Sequence, residues 1–128
     1  MDTEATKAYY AGKKRADICS CDYCRNFMDE IKGAYPEAAE YLSSIGVDIA
    51  LPYEVLLPIE NDDGTMDYYA VDYFICGEPD GFEETKIGDI SVQITEAYPR
   101  PDNYEGSYFV ITLGTFRIRR RTDKYAFR

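Results

Sequence analysis

The chain has 128 residues, 45% of them hydrophobic and 30% charged, with 24 acids against 14 bases and a net charge of −10. That length suits one domain with an ordinary core, and no apolar run approaches the roughly 18 residues that a membrane span requires. The acidic balance disfavours a phosphate backbone as partner. The complete absence of histidine removes the commonest general base and metal ligand.

Residues 1–17 show no clean periodicity and carry the basic cluster Lys13-Lys14-Arg15. They read as an N-terminal arm, with Tyr9 and Tyr10 tacking it onto the body. The opening Met1-Asp-Thr-Glu-Ala-Thr-Lys is polar and acidic, unlike a secretory signal, so a cytoplasmic protein is expected. Residues 18–46 read as a helical pair. Tyr23, Phe27, Met28 and Ile31 form a helical stripe closed by Gly33. Pro36 then opens a second helix, where its missing N–H costs nothing, and Ala38, Tyr41, Leu42 and Ile45 form its apolar face up to Gly46.

After Gly46 the period changes to two, and residues 47–119 read as an antiparallel sheet of about four strands. Tyr53–Glu60 is the first, placed at an edge because Pro58 cannot donate to a ladder. Asn61-Asp62-Asp63-Gly64 supplies the turn into a second strand over Tyr68–Cys76, with Tyr69, Val71, Tyr73 and Ile75 on its buried face. A polar loop over Gly77–Lys86 leads to a strand at Ile90–Thr95, and Tyr98–Gly106 reads as a long hairpin loop. The last strand, Ser107–Arg119, slips phase by one residue at Gly114, as a β-bulge would. Residues 120–128 are a basic tail. The class expected is α+β, with the two helices packed across one face of the sheet.

Charge is unevenly placed. Residues 54–105 hold fourteen acids against Lys86 and Arg100, whereas Arg117, Arg119, Arg120, Arg121, Lys124 and Arg128 crowd the end against Asp123. The basic end is either a docking tail or the solvated end of a strand. Thirteen tyrosines and no tryptophan complete the picture. Tyr41, Tyr69 and Tyr73 are expected in the core. Tyr9, Tyr10, Tyr68, Tyr98, Tyr104 and Tyr108 are expected at the surface, where tyrosine serves interfaces well.

The candidate chemistry lies in Cys19-Ser-Cys21-Asp-Tyr-Cys24. The cluster falls at the start of the first helix, with Ser20 or Asp22 as cap, so the helix dipole should acidify Cys24 and Cys21. Three readings follow. Cys19, Cys21 and Cys24 are zinc ligands, with Cys76, an acid or water in the fourth place. Alternatively Cys21 and Cys24 form a C-x-x-C redox pair, or all three thiols are chemically idle. Acid pairs such as Asp62/Asp63 and Glu83/Glu84 read as solvated loop charges rather than acid–base catalysts. Asn61–Asp67 fails the calcium-loop pattern, which would put its first ligand at Ile59 and its bidentate acid at Ala70.

The run Cys19-Ser-Cys21-Asp-Tyr-Cys24-Arg-Asn-Phe27, with Pro36, Tyr41-Leu42, Ile45-Gly46-Val47-Asp48 and Pro52-Tyr-Glu54-Val55, resembles an uncharacterised family of small bacterial proteins. The resemblance runs from Cys19 to about Gly77. It implies an aliphatic residue at position 76, which counts against Cys76 as a ligand, and it implies no activity. The sequence points to a non-catalytic binding or interaction module with an acidic, tyrosine-rich surface and a cysteine cluster that could bind zinc. A basic protein partner is expected, with no nucleic acid and no membrane, as a monomer or small homo-oligomer. The alternative is a thiol-dependent redox protein using Cys21 and Cys24.

Overall fold

The computed structural model describes residues 1–95 and 104–127. Among these, helices α1 (Thr3–Ala11), α2 (Asp22–Ala34) and α3 (Pro36–Ser44) precede eight short strands: β1 (Glu54–Val55), β2 (Ile59–Glu60), β3 (Thr65–Tyr68), β4 (Val71–Cys76), β5 (Thr85–Ile87), β6 (Ile90–Thr95), β7 (Tyr108–Gly114) and β8 (Phe116–Arg119). All pairings are antiparallel, so the class is α+β as expected. The strands form two sheets, ordered β1-β4-β7-β6-β5 and β2-β3-β8, where a single sheet of about four strands was expected. None of the helices is long and apolar enough to cross a membrane.

The extra strands arise because three long expected strands each break and change sheet. The first breaks at Leu56-Leu57-Pro58, where proline removes a ladder donor. The second breaks at Tyr69-Ala70 and the third at Thr115. The phase slip at Gly114 is therefore a passage from one sheet to the other, not a bulge. A Cβ at Gly114 would run into the Tyr69 backbone carbonyl, so glycine lets the two bends nest. β5 was expected to be loop. It is an exposed edge strand without alternation, joined to β6 through Gly88-Asp89. Most of the expected loop Tyr98–Gly106 lies outside the described residues.

Helix α2 buries Phe27, Met28 and Ile31, and α3 buries Ala38 and Leu42. Against them lie Tyr73, Ile75, Ile111 and Leu113 from one sheet and Met66, Tyr68, Phe116 and Ile118 from the other. Phe27 sits 5.3 Å from the Tyr68 ring and 5.9 Å from Phe116, in tilted and edge-to-face contacts.

The expected N-terminal arm is a capped helix. Asp2 accepts the Ala5 N–H at 2.9 Å, as an N-cap does. Its periodicity is faint because it buries little beyond Thr6 and Tyr10, one turn apart. Those two residues complete a sheet edge. β1 covers β4 only at Val71 and Asp72, leaving the rest of that β4 edge without a strand. There the Tyr10 hydroxyl donates to the Phe74 carbonyl at 2.8 Å and accepts the Phe74 N–H at 3.0 Å. The Thr6 hydroxyl accepts the Cys76 N–H at 3.1 Å, and the Asp2 N–H donates to the Cys76 carbonyl at 2.8 Å. Helix α1 thus replaces a missing strand, one of the ways proteins protect an edge. Tyr10→Phe removes both partners of Phe74 and is expected to cost about 2–4 kcal/mol, since each orphaned buried group costs about 1–3. Urea unfolding checks this, and a loss indistinguishable from zero would show that water takes over the edge.

The basic end lies against the acidic body. Arg117 pairs with Asp67 at 2.9 Å, Arg120 with Glu60 at 3.2 Å, Arg121 with Glu30 at 3.3 Å and Lys124 with Asp29 at 2.8 Å. The Phe127 N–H donates to Asp22 at 2.8 Å, and both Tyr125 and Phe127 are buried. Four of the basic side chains expected in a docking tail are therefore paired with acids of the body.

Candidate metal centre

The Cys19–Cys24 segment follows a 3-10 turn at Arg15–Asp17 and runs into α2. Cys21, rather than Ser20 or Asp22, is the N-cap: its Sγ accepts the Cys24 N–H at 3.5 Å. Asp22 instead turns to the C-terminal segment and to Arg25. The C-x-C spacing bends Cys19 back over the helix start, and the x-x step to Cys24 completes one turn. The three sulfurs consequently all lie within 4.8 Å of one another, a group that could hold a metal ion. Cys19 and Cys21 are exposed and Cys24 is buried.

Cys76 does not join them. It is buried on β4, its backbone held by α1, away from the start of α2. No carboxylate among the described residues joins the three-sulfur group either. The cluster thus offers three protein ligands and an open side.

The acidities differ from the helix-dipole expectation. Cys24 is the hard thiol to ionise, pushed up chiefly by burial and then by its hydrogen bonds to Cys21 and Cys19. Cys19 is lowered, because the Cys21 backbone N–H and then the Cys21 and Cys24 side chains stabilise its thiolate. Burial outweighs the dipole at Cys24, and hydrogen bonding favours the Cys19 thiolate.

Beside the sulfurs opens a hollow of about 350 Å³. Its other walls include Ile18, Tyr23, Tyr53, Val55, Leu57 and Pro58. Leu56, Leu57 and Ile59 stand exposed nearby, at 48%, 65% and 58%. Sequence reading did not connect this rim with the cysteines. Its one signal is the Leu56-Leu57-Pro58 run, where the apolar/polar alternation of the expected strand fails.

Lys13 was also missed. Its Nζ donates to the Pro52 carbonyl at 3.2 Å and lies 5.6, 5.8 and 5.7 Å from the rings of Tyr9, Tyr10 and Tyr53. Burial draws its pKa down to about 8, with Asp17 opposing, while the three aromatic faces favour the cation. This clasp ties α1 to the strand wall of the hollow.

The tyrosines expected at the surface divide between buried and half-buried positions. Among the described tyrosines Tyr69 alone is exposed, at 44%, although it was expected in the core. Tyr69 falls at the bend between β3 and β4, where the alternation breaks. Tyr10 and Tyr68 are buried, because their hydroxyls reach backbone partners at Phe74 and, at 2.6 Å, at the Tyr23 carbonyl. Tyr9, Tyr104 and Tyr108 are half-buried around the Phe74 ring, at 4.6, 5.0 and 5.0 Å. Tyr98 lies outside the described residues.

One acid of each pair serves local structure. Asp63 accepts the Thr65 N–H at 3.0 Å and its hydroxyl at 2.6 Å, which lowers its carboxyl. Glu84 accepts the Ile94 N–H at 2.8 Å, and Glu83 is exposed. Compared with protein-family models, curated proteins and solved structures, the chain shows no significant match.

Proposed function

We propose that this protein is a small, non-catalytic zinc-binding module in which Cys19, Cys21 and Cys24 are the metal's ligands. The observation that carries the reading is the convergence of three sulfurs within 4.8 Å at the capped start of α2. Zinc–thiolate bonds of about 2.3 Å in tetrahedral geometry set sulfurs about 3.8 Å apart, so the three need only a small further approach to close on the ion. Burial first, and then the neighbouring sulfurs, make Cys24 hold its proton firmly. A divalent cation cancels the repulsion among three thiolates and takes the place of the protons.

The exposed acids of the turn and loop regions, among them Asp62, Glu78, Asp80, Glu83 and Asp89, favour encounter with a basic protein partner. That part of the reading rests on charge, since among the described tyrosines Tyr69 alone is exposed.

Protein purified without added metal is expected to contain about one zinc per chain by elemental analysis. Cys21→Ser or Cys24→Ser should reduce it to background, with circular dichroism reporting that the fold survives. Affinity should rise with pH below the thiol pKa values, because the metal-free site carries protons that the zinc-bound site lacks. Each proton released contributes up to about tenfold per pH unit. A metal-free protein that forms a Cys21–Cys24 disulfide under mild oxidation would replace the zinc reading with the redox one.

A further inference from the structure

Resting on the zinc reading, we propose that the metal's fourth ligand is a histidine imidazole supplied by another protein, its apolar flanks seated in the hollow beside the cysteines. Zinc in a closed structural site takes four ligands, drawn from cysteine alone or from cysteine and histidine together. Cys19, Cys21 and Cys24 supply three. Cys76 is held by α1 away from them, and no described carboxylate joins the group. The chain contains no histidine at all. A second copy of this chain therefore cannot donate an imidazole.

Charge selects between the possible outside ligands. A zinc ion with three thiolates already carries one net negative charge, on a chain whose own net charge is −10. A fourth thiolate or a carboxylate would add another negative charge, whereas neutral imidazole adds none and is a preferred zinc ligand. Shape selects the flanks. The hollow that the cysteines line has further walls from Tyr53, Val55, Leu57 and Pro58, with Glu54 the one acid among them, and Leu57 is 65% exposed. A histidine between apolar side chains would bury that surface while its ring reaches the metal.

The full-length protein loaded with Co²⁺ reports the fourth ligand directly. Tetrahedral cobalt has visible bands sensitive to each ligand, and each thiolate adds ultraviolet charge-transfer intensity. Acetyl-Leu-His-Leu-amide should shift the visible bands saturably without adding charge-transfer intensity. It should bind at least tenfold tighter than acetyl-Gly-His-Gly-amide, acetyl-Leu-Cys-Leu-amide or acetyl-Leu-Asp-Leu-amide. Leu57→Asp, at an exposed position, should shrink the preference over the glycine-flanked peptide to less than threefold. Tighter binding of the cysteine or aspartate peptide would overturn the proposal, as would equal binding of the two histidine peptides. Cobalt bound by all three cysteines with no response to any peptide would overturn this inference alone. Failure to bind cobalt or zinc would overturn the zinc reading with it.

Discussion

Asn26→Ala is expected to destabilise the protein by about 3 kcal/mol and to loosen the cysteine cluster at the same time. Asn26 is fully buried on α2. Its Nδ2 donates to the Arg119 carbonyl at 3.0 Å, and its Oδ1 accepts the Arg121 N–H at 2.9 Å. One amide thus closes two backbone groups just after β8, where the ladder has ended. Alanine leaves both without that partner, beside a side chain that is itself fully buried. At about 1–3 kcal/mol for each orphaned buried group, the pair outweighs the helix propensity that alanine gains. Cys24 lies two residues earlier on the same helix, so looser seating of α2 should also make the Cys24 thiol more reactive toward a thiol probe. Asn61→Ala is the control: Asn61 bonds the Thr65 hydroxyl at 3.0 Å in a partly exposed turn and should cost under about 1 kcal/mol. Urea unfolding of the two variants decides the matter. Equal losses would mean that Asn26 is not the tie between α2 and the C-terminal segment.

Gly46→Ala is expected to cost about 3 kcal/mol, against about 1 kcal/mol for Gly64→Ala. Both glycines have left-handed backbone, φ +90° and +85°, which penalises any side chain by about 1–2 kcal/mol. Their surroundings differ. A Cβ at Gly64 would meet nothing within 4 Å. At Gly46 it would lie 2.6 Å from the Thr3 carbonyl oxygen and 3.0 Å from the Lys7 nitrogen, both backbone atoms of α1. Backbone cannot step aside as a flexible side chain can, so overpacking adds to the strain. Relief would come through α1 lifting away, which exposes the β4 edge that Tyr10 and Thr6 complete. Faster proteolysis near residues 12–14 should therefore accompany the stability loss in Gly46→Ala and be absent in Gly64→Ala. Equal behaviour of the two variants would show that α1 does not press on Gly46.

Residue pattern alone was enough to specify the class of the fold and its order, helices first and antiparallel strands after. The reason is local: the 3.6 period of Phe27, Met28 and Ile31 and the period of two around Val92 and Ile111 each follow from one buried face. Proline at position 36 and glycine at 46 marked helix limits because their backbone constraints act wherever they stand. The cysteine cluster was legible for the same reason, since C-x-C-x-x-C at a helix start brings three sulfurs together with little help from the rest of the chain. Long-range packing governs whatever depends on distant neighbours. Whether a strand continues or changes sheet is settled at Pro58, Tyr69 and Gly114, three points far apart in sequence. Burial of Tyr10, Tyr68 and Tyr73 goes with a hydroxyl's reach to a backbone group, as Tyr10 reaches Phe74 across 64 residues. Cys24 is harder to ionise than its helix position implies because its desolvation is a property of the packed site. Long-range pairing also placed the apolar rim of Leu57 beside the sulfurs and left their fourth side open.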